Sequence, residues 1–348
     1  MLQINTKKKL LTDVAVIRPI LIVLLVFYHA FAPFSGAWGA FEGYQDIAAY
    51  YWLDKFSYSF MLEMFVLISG YVFGYQVSNG SEDKLNFRFL LLSKFRRLIV
   101  PCVFFSLVYS IVFIGIKDSV WYTCYDLFNG VGHMWFLPML LWCFVGIWII
   151  ERLKIGVKGS IPFLFLLSFV TAIDLPLRIN TSFYYMLFFY LGYITTRNNV
   201  SIKALRDKRY VPAFVVSFFI LFPLLTVFRE NAKELFGEMR IVAYMLSHIA
   251  KLAYALLGIA MCVSCVNVVL RYTETIPVWL IRVGSLCMGI YLIQQFILKG
   301  LYYQTSLPVQ TGSYWLPWIG FVITLLVSLL VSWLTYKTKL GRFLIGQF

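Results

Sequence analysis

Polar residues are sparse along this chain, and their positions cut it into long apolar runs. Ten runs lie at residues 13–34, 56–77, 95–116, 133–150, 160–175, 182–196, 210–228, 241–269, 278–300 and 314–336. A helix needs about 20 apolar residues to cross the hydrocarbon of a bilayer, and most of these runs reach that length. Inside lipid every backbone N–H and C=O must find an internal partner, which a helix supplies by itself. The pattern therefore predicts an all-α polytopic membrane protein, a bundle of about ten transmembrane helices. The fifth and sixth runs are short and parted by DLPLRINTS (174–182), which predicts broken, tilted or re-entrant segments there. No linker, low-complexity stretch or internal repeat intervenes, and YKTKLGRFLIGQF (336–348) is too short for a second domain. Residues 1–348 read as one membrane domain. The first run is too long for a cleavable signal peptide and lacks a small-residue cleavage site.

Composition agrees. The chain has 348 residues, 61 % hydrophobic and 13 % charged, where a soluble domain carries about 25 % charged residues. Aromatics at 19 % suit many helix ends at membrane interfaces. The net charge of +14 raises a nucleic-acid reading. That reading fails, because the cations are scattered in short clusters between apolar runs, with no basic stripe. They fit the positive-inside rule better. With both termini cytoplasmic, 21 of the 30 basic residues fall on the inner side, among them Lys7–Lys9, Lys84, Arg96, Arg97, Lys203 and Lys339. The outer half receives Lys55, Lys117, Arg178, Arg229, Lys233, Arg240, Lys251 and Lys299. Six cysteines lie mostly inside apolar runs, and the Cys262-x-x-Cys265 pair has no second ligand pair nearby, so they read as small packing residues. Three distant histidines and no carboxylate cluster give no metal site.

The informative residues are polar intruders within the runs. IRPILIVLLVFYHAF (17–31) carries Arg18 and His29. Eleven residues are three turns plus about 20°, so both leave one face, about 16 Å apart along the axis. Pro19 marks a kink or the true start of this helix. Two readings stand open: a functional stripe, or an arginine snorkelling to headgroups with a histidine hydrogen-bonded inside the bundle. Glu63 lies at a depth matching His29 and is placed to orient and charge-stabilise its imidazole; the alternatives are a protonated Glu63, or pairing with Lys251 or another basic group. Arg96 and Arg97 stand at the mouth of the third helix at the depth of Arg18, where guanidinium forks would hold phosphate. His133 and Trp135 open the fourth helix at the outer interface. His248 and Lys251, one turn apart, read as a polar patch.

At these residues the chain resembles the acyltransferase-3 family of membrane acyltransferases. The resemblance rests on the basic residue–ten residues–His spacing of Arg18 and His29. It extends to EMFVLISGY (63–71) for the family's "FFxxSGF" segment and RRLIVP (96–101) for its Arg-rich lead-in to the third helix. HMWFLPMLL (133–141) is similar to "HLWFL", and MGIYLIQQFIL (288–298) to "YGIYLIHPFIL". Gln294 and Gln295 stand where the family has His and Pro, so this position offers hydrogen bonds only. Pro19 also departs from the family's Arg-Gly or Arg-aliphatic pair.

The resemblance implies an O-acyltransferase, usually an O-acetyltransferase, of the bacterial cytoplasmic membrane. Arg18, Arg96 and Arg97 are then the donor-binding residues for a cytoplasmic acyl-CoA, a substrate and not a bound cofactor. His29 is the general base, or the site of transient acylation, with Glu63 orienting it. His133, Trp135, Tyr291 and Gln294 are acceptor-side candidates for a polysaccharide or lipid-linked glycan. Outer loops 35–55, 117–132, 174–182 and 302–313 would supply further sugar contacts. Expected partners are acyl-CoA, the glycan, the bilayer and a second copy of the chain as a homodimer. Two rivals remain at this stage: a proton-coupled transporter or flippase, against which the absent two-half repeat speaks, and a non-catalytic subunit of an envelope complex.

Overall fold

The computed structural model describes residues 6–80, 85–115, 119–171, 173, 175–273 and 275–347. Lys84 and Lys117 of the charge tally lie outside the described residues. No strand occurs among the described residues. In chain order the helices are α1 Thr6–Phe31, α2 Ala48–Tyr58, α3 Met61–Asn79, α4 Phe87–Lys94, α5 Val100–Tyr109, α6 Val120–Asn129, α7 Phe136–Arg152 and α8 Val157–Leu167. They continue with α9 Ile179–Arg197, α10 Lys203–Arg206, α11 Val211–Phe236, α12 Arg240–Tyr272, α13 Val278–Tyr303, α14 Leu307–Lys337 and α15 Lys339–Leu344. The chain is an all-α polytopic membrane protein.

Among the described residues, eight segments are long and apolar enough to cross a bilayer. They correspond to eight of the ten expected runs. The fifth run forms α8, only 11 residues, about 16 Å of helix and too short to span alone. The sixth forms α9, whose four tyrosines make it less apolar and whose middle is buried within the protein. Leu177 and Arg178, before α9, have left-handed φ of 57° and 61°, so the chain turns sharply where DLPLRINTS predicted a break.

Pro19 neither starts nor ends α1, which begins at Thr6 and runs through it. Proline removes the hydrogen bond to the carbonyl four residues back, here Ala15. Gly284 of α13 packs against that region, where a Cβ would lie 3.6 Å from Ala15 O.

The chain forms two compact units, each assembled from separated segments. The first comprises 1–65, 201–287 and 297–327. Its aromatic core joins Phe31, Phe34, Phe41, Tyr50, Tyr302 and Leu316. Two hydroxyls of this core are bonded: Tyr302 donates to Ala30 O at 2.8 Å, and Trp318 donates through Nε1 to the Tyr50 hydroxyl at 2.9 Å. These bonds pin the 35–47 loop and α14 onto the end of α1, and Gln45 N adds a bond to Ser313 Oγ at 2.7 Å.

The second unit comprises 66–200, 288–296 and 328–348. Its tightest contact is between α3 and α9. A Cβ on Gly70 would strike Phe189 O, and one on Gly192 would strike Leu67 O. Gly70 and Gly74 form a G-x-x-x-G pair, the small-residue spacing that lets membrane helices approach backbone to backbone.

Candidate active site

In the first unit, α1 carries the expected histidine into a buried position. His29 is 6 % exposed. Its imidazole stacks on Trp38, ring centroids 5.6 Å apart and planes 19° apart, and sits 4.8 Å from the Tyr28 ring. The Lys299 ammonium lies 5.3 Å from the centre of the same Trp38 ring. Trp38 belongs to the loop that Tyr303 anchors through a hydroxyl bond to Gly39 O at 2.6 Å. The indole therefore holds the imidazole plane against a loop fixed at both ends.

Glu63 opens α3 and is 2 % exposed. Its Oε1 lies 3.9 Å from Lys251 Nζ of α12, a pairing named among its alternatives. An ammonium at that distance compensates a carboxylate that would otherwise be costly in this setting. Around it the Arg229 guanidinium bonds the Tyr254 hydroxyl at 2.9 Å, and Lys55 pairs with Glu230 at 2.9 Å. His248 is buried one turn from Lys251. Arg18 is half-buried on α1, within electrostatic reach of Cys287 on α13.

In the second unit two of the acceptor-side candidates, His133 and Tyr291, come together. The His133 and Tyr291 rings meet edge to face at 5.1 Å, and Tyr291 donates its hydroxyl to His133 O at 2.5 Å. Tyr109 joins this cluster through its ring, 6.2 Å from His133, and its hydroxyl lies 3.4 Å from Gln295 Oε1. Gln294 is 0 % exposed, yet neither its amide oxygen nor its amide nitrogen has a hydrogen-bond partner in the protein. Trp135 packs on Tyr185 at 6.1 Å. Trp135 is half-buried, and its neighbour His133 is 5 % exposed.

A pocket of about 780 Å³ in the second unit is lined by Lys94, Arg97, Lys339 and Arg342, with Ser93, Gln76 and Gln347 among its polar groups. Arg97 sits in a π-helical turn, Phe95–Ile99, between α4 and α5. Pro101 lacks the N–H that would bond Arg97 O in an α-helix, and Gly346 packs its Cα side against that carbonyl. The C-terminal segment thereby brings Lys339 and Arg342 to the same cavity. Lys94 is steadied by the Phe144 ring, 4.1 Å from its ammonium. Of the expected donor pair, Arg97 lines the pocket; Arg96 is exposed and not in the lining.

Sequence reasoning missed Lys94, Lys339, Arg342, Trp38 and Lys299 as site groups. Three of the cations had a signal: KFRR (94–97) and KLGR (339–342) each place a lysine and an arginine three apart, on one helix face. Nothing local marked Trp38.

A polytopic helical membrane protein with a buried histidine in its first span and a four-cation pocket is the class these features define. The sequence profile of the acyltransferase-3 family, an acyltransferase domain, matches residues 12–337. The chain belongs to that family and is a membrane acyltransferase. No curated protein and no solved structure matches it.

Proposed function

We propose that this acyltransferase takes an acyl group, acetyl in the first instance, from cytoplasmic acyl-CoA. It passes the group to a hydroxyl of a cell-surface polysaccharide or its lipid-linked precursor, in the bacterial cytoplasmic membrane. The observation that carries the donor assignment is the pocket with Lys94, Arg97, Lys339 and Arg342. Its volume lies within the range of small-molecule sites, about 300–1,000 Å³. Four cations and no carboxylate among the described residues of its lining suit the phosphates of a coenzyme, which guanidinium forks grip bidentately. Arg18 is the further donor-side cation.

His29 is the general base. Its ring nitrogen takes the proton of the acceptor hydroxyl while the oxygen attacks the thioester carbonyl. The C–O bond forms, the C–S bond breaks, and the imidazolium returns the proton to the departing thiolate. Such assistance is worth about 10² to 10⁴ in rate. Trp38 holds the imidazole plane, and the Glu63 carboxylate favours the transient imidazolium. Gln294, with its buried amide groups lacking protein partners, supports a polar ligand there, because buried polar groups normally find one. His133, Trp135 and Tyr291 accompany it on the acceptor side.

The test is reconstitution in proteoliposomes with radiolabelled acetyl-CoA and envelope glycan. Label transfer that depends on acceptor and releases free thiol is expected, and His29→Ala abolishes it at normal membrane abundance. Solute uptake without acyl transfer, or substantial turnover by the His29→Ala protein, overturns the reading. Mass spectrometry of envelope glycans from cells with and without the protein identifies the acceptor.

A further inference from the structure

A second basic concavity lies in the first unit, and none of its lining residues is assigned to acyl transfer. It is an open bowl of about 470 Å³ lined by Lys203, Arg206, Asp207, Lys208, Arg209 and Arg271. Among its described lining residues, five cations face one carboxylate.

That carboxylate is already engaged. Arg209 donates to Asp207 at 3.0 Å through Nε and 2.6 Å through Nη2. These hydrogen bonds hold the Asp207 carboxyl well below its usual range, at about 2, so its charge is constant and cancels only one cation. Arg206 reaches a second acid, Asp13 of α1, at 4.0 Å. Arg271 donates to Arg206 O, which fixes the end of α12 against the α10 segment. Lys203 and Lys208 are exposed. The bowl thus keeps a positive surplus in a small volume, which favours a bound counter-anion.

Its depth says which kind of anion. One candidate span begins at Lys208 and another ends at Tyr272, so the bowl lies at the edge of the hydrocarbon. Tyr210 and Tyr272, adjoining Arg209 and Arg271 in the chain, are 48 % and 76 % exposed, as tyrosines at headgroup level are. From the same helix ends, α11 and α12 expose Val216, Phe219 and Val269, an apolar surface suited to acyl chains. A charged head over apolar tails is the chemistry this arrangement complements.

We propose that the bowl is a headgroup site for an anionic phospholipid, with Arg206, Lys208 and Arg271 gripping the phosphodiester. Occupied, it would tie α12, the α10 segment and, through Asp13, α1 together at the membrane edge. The site is independent of the acyl-transfer assignment.

The test uses the full-length protein, delipidated in neutral detergent, titrated with phosphatidylglycerol or phosphatidylcholine and read by native mass spectrometry. Sodium pyrophosphate serves as the soluble phosphate. The intact protein is expected to prefer phosphatidylglycerol by about tenfold or more, and the Arg206→Gln/Lys208→Gln/Arg271→Gln protein to lose that preference. Each cation near an anionic surface is worth roughly a factor of five, so three are worth about a hundredfold at low salt. Lys233→Gln/Arg240→Gln, the removal of two exposed cations elsewhere, leaves the preference intact. Should the triple variant fail to fold, Lys208→Gln alone, at an exposed side chain, lowers affinity about fivefold. Unchanged preference in the triple variant, or in Lys208→Gln where only that protein folds, overturns the proposal. So does equal loss in the control, or complete displacement of the lipid by millimolar pyrophosphate, which would make this a soluble-phosphate site.

Discussion

Gly346→Ala is expected to damage donor binding without altering any cationic side chain of the pocket. Gly346 has φ +67°, and a Cβ there would strike Arg97 O, with Arg97 C at 3.0 Å and Arg97 Cα at 3.2 Å. Those atoms are backbone, so no rotamer change relieves the clash. Restoring an ordinary carbon–oxygen contact of about 3.3 Å requires the two segments to part by on the order of 1 Å. Left-handed φ adds about 1–2 kcal/mol for alanine.

Lys339 and Arg342 ride on the segment that must move. Each charge-assisted hydrogen bond is worth about 1.5–3 kcal/mol. Partial loss at both predicts a weakening near 3 kcal/mol, or about a hundredfold rise in KM for acyl-CoA, with kcat far less affected. The assay is acyl-CoA-dependent transfer in proteoliposomes, compared with Gly312→Ala. Gly312 has a similar φ of +66° but nothing within 4 Å of its Cβ position, so it reports backbone strain alone. If Gly346→Ala raises the donor KM no more than Gly312→Ala, the docking of this segment on Arg97 does not shape the pocket, and the reasoning fails.

The remaining expectations concern single groups. Arg97→Gln should raise the donor KM about tenfold or more, while Arg96→Gln leaves it within about twofold; equal effects in titrations of acyl-CoA would refute the assignment of the lining. Trp38→Phe should keep most of kcat and Trp38→Ala should lower it at least about tenfold at unchanged donor KM, since the stack on His29 is lost while the cations of the donor pocket are untouched. Lys251→Met leaves the Glu63 carboxylate without its ammonium and should cost about 3 kcal/mol in thermal or denaturant unfolding; adding Glu63→Gln should recover most of that stability. No recovery in the double variant would show that the pair is not coupled.

The chain's apolar runs were enough to read the all-α membrane architecture, because the bilayer imposes a length and polarity rule on each helix separately. Arg18 and His29 stood out for the same reason: a polar residue inside an apolar run is conspicuous without any partner in view. The break before α9 was equally local. Other features depended on packing between distant segments. Lys94 and Lys339 line one pocket because a proline-opened carbonyl at Arg97 receives Gly346, a contact no hydropathy profile contains. Trp38 reads as an ordinary loop aromatic until its ring is found stacked on His29. Glu63 had several open readings in the sequence, and helix packing put Lys251 beside it. Hydrophobic periodicity is a property of one segment against a uniform solvent. A site is the meeting of several segments, and that meeting is set by side-chain shape and close backbone approach, which only the tertiary structure decides.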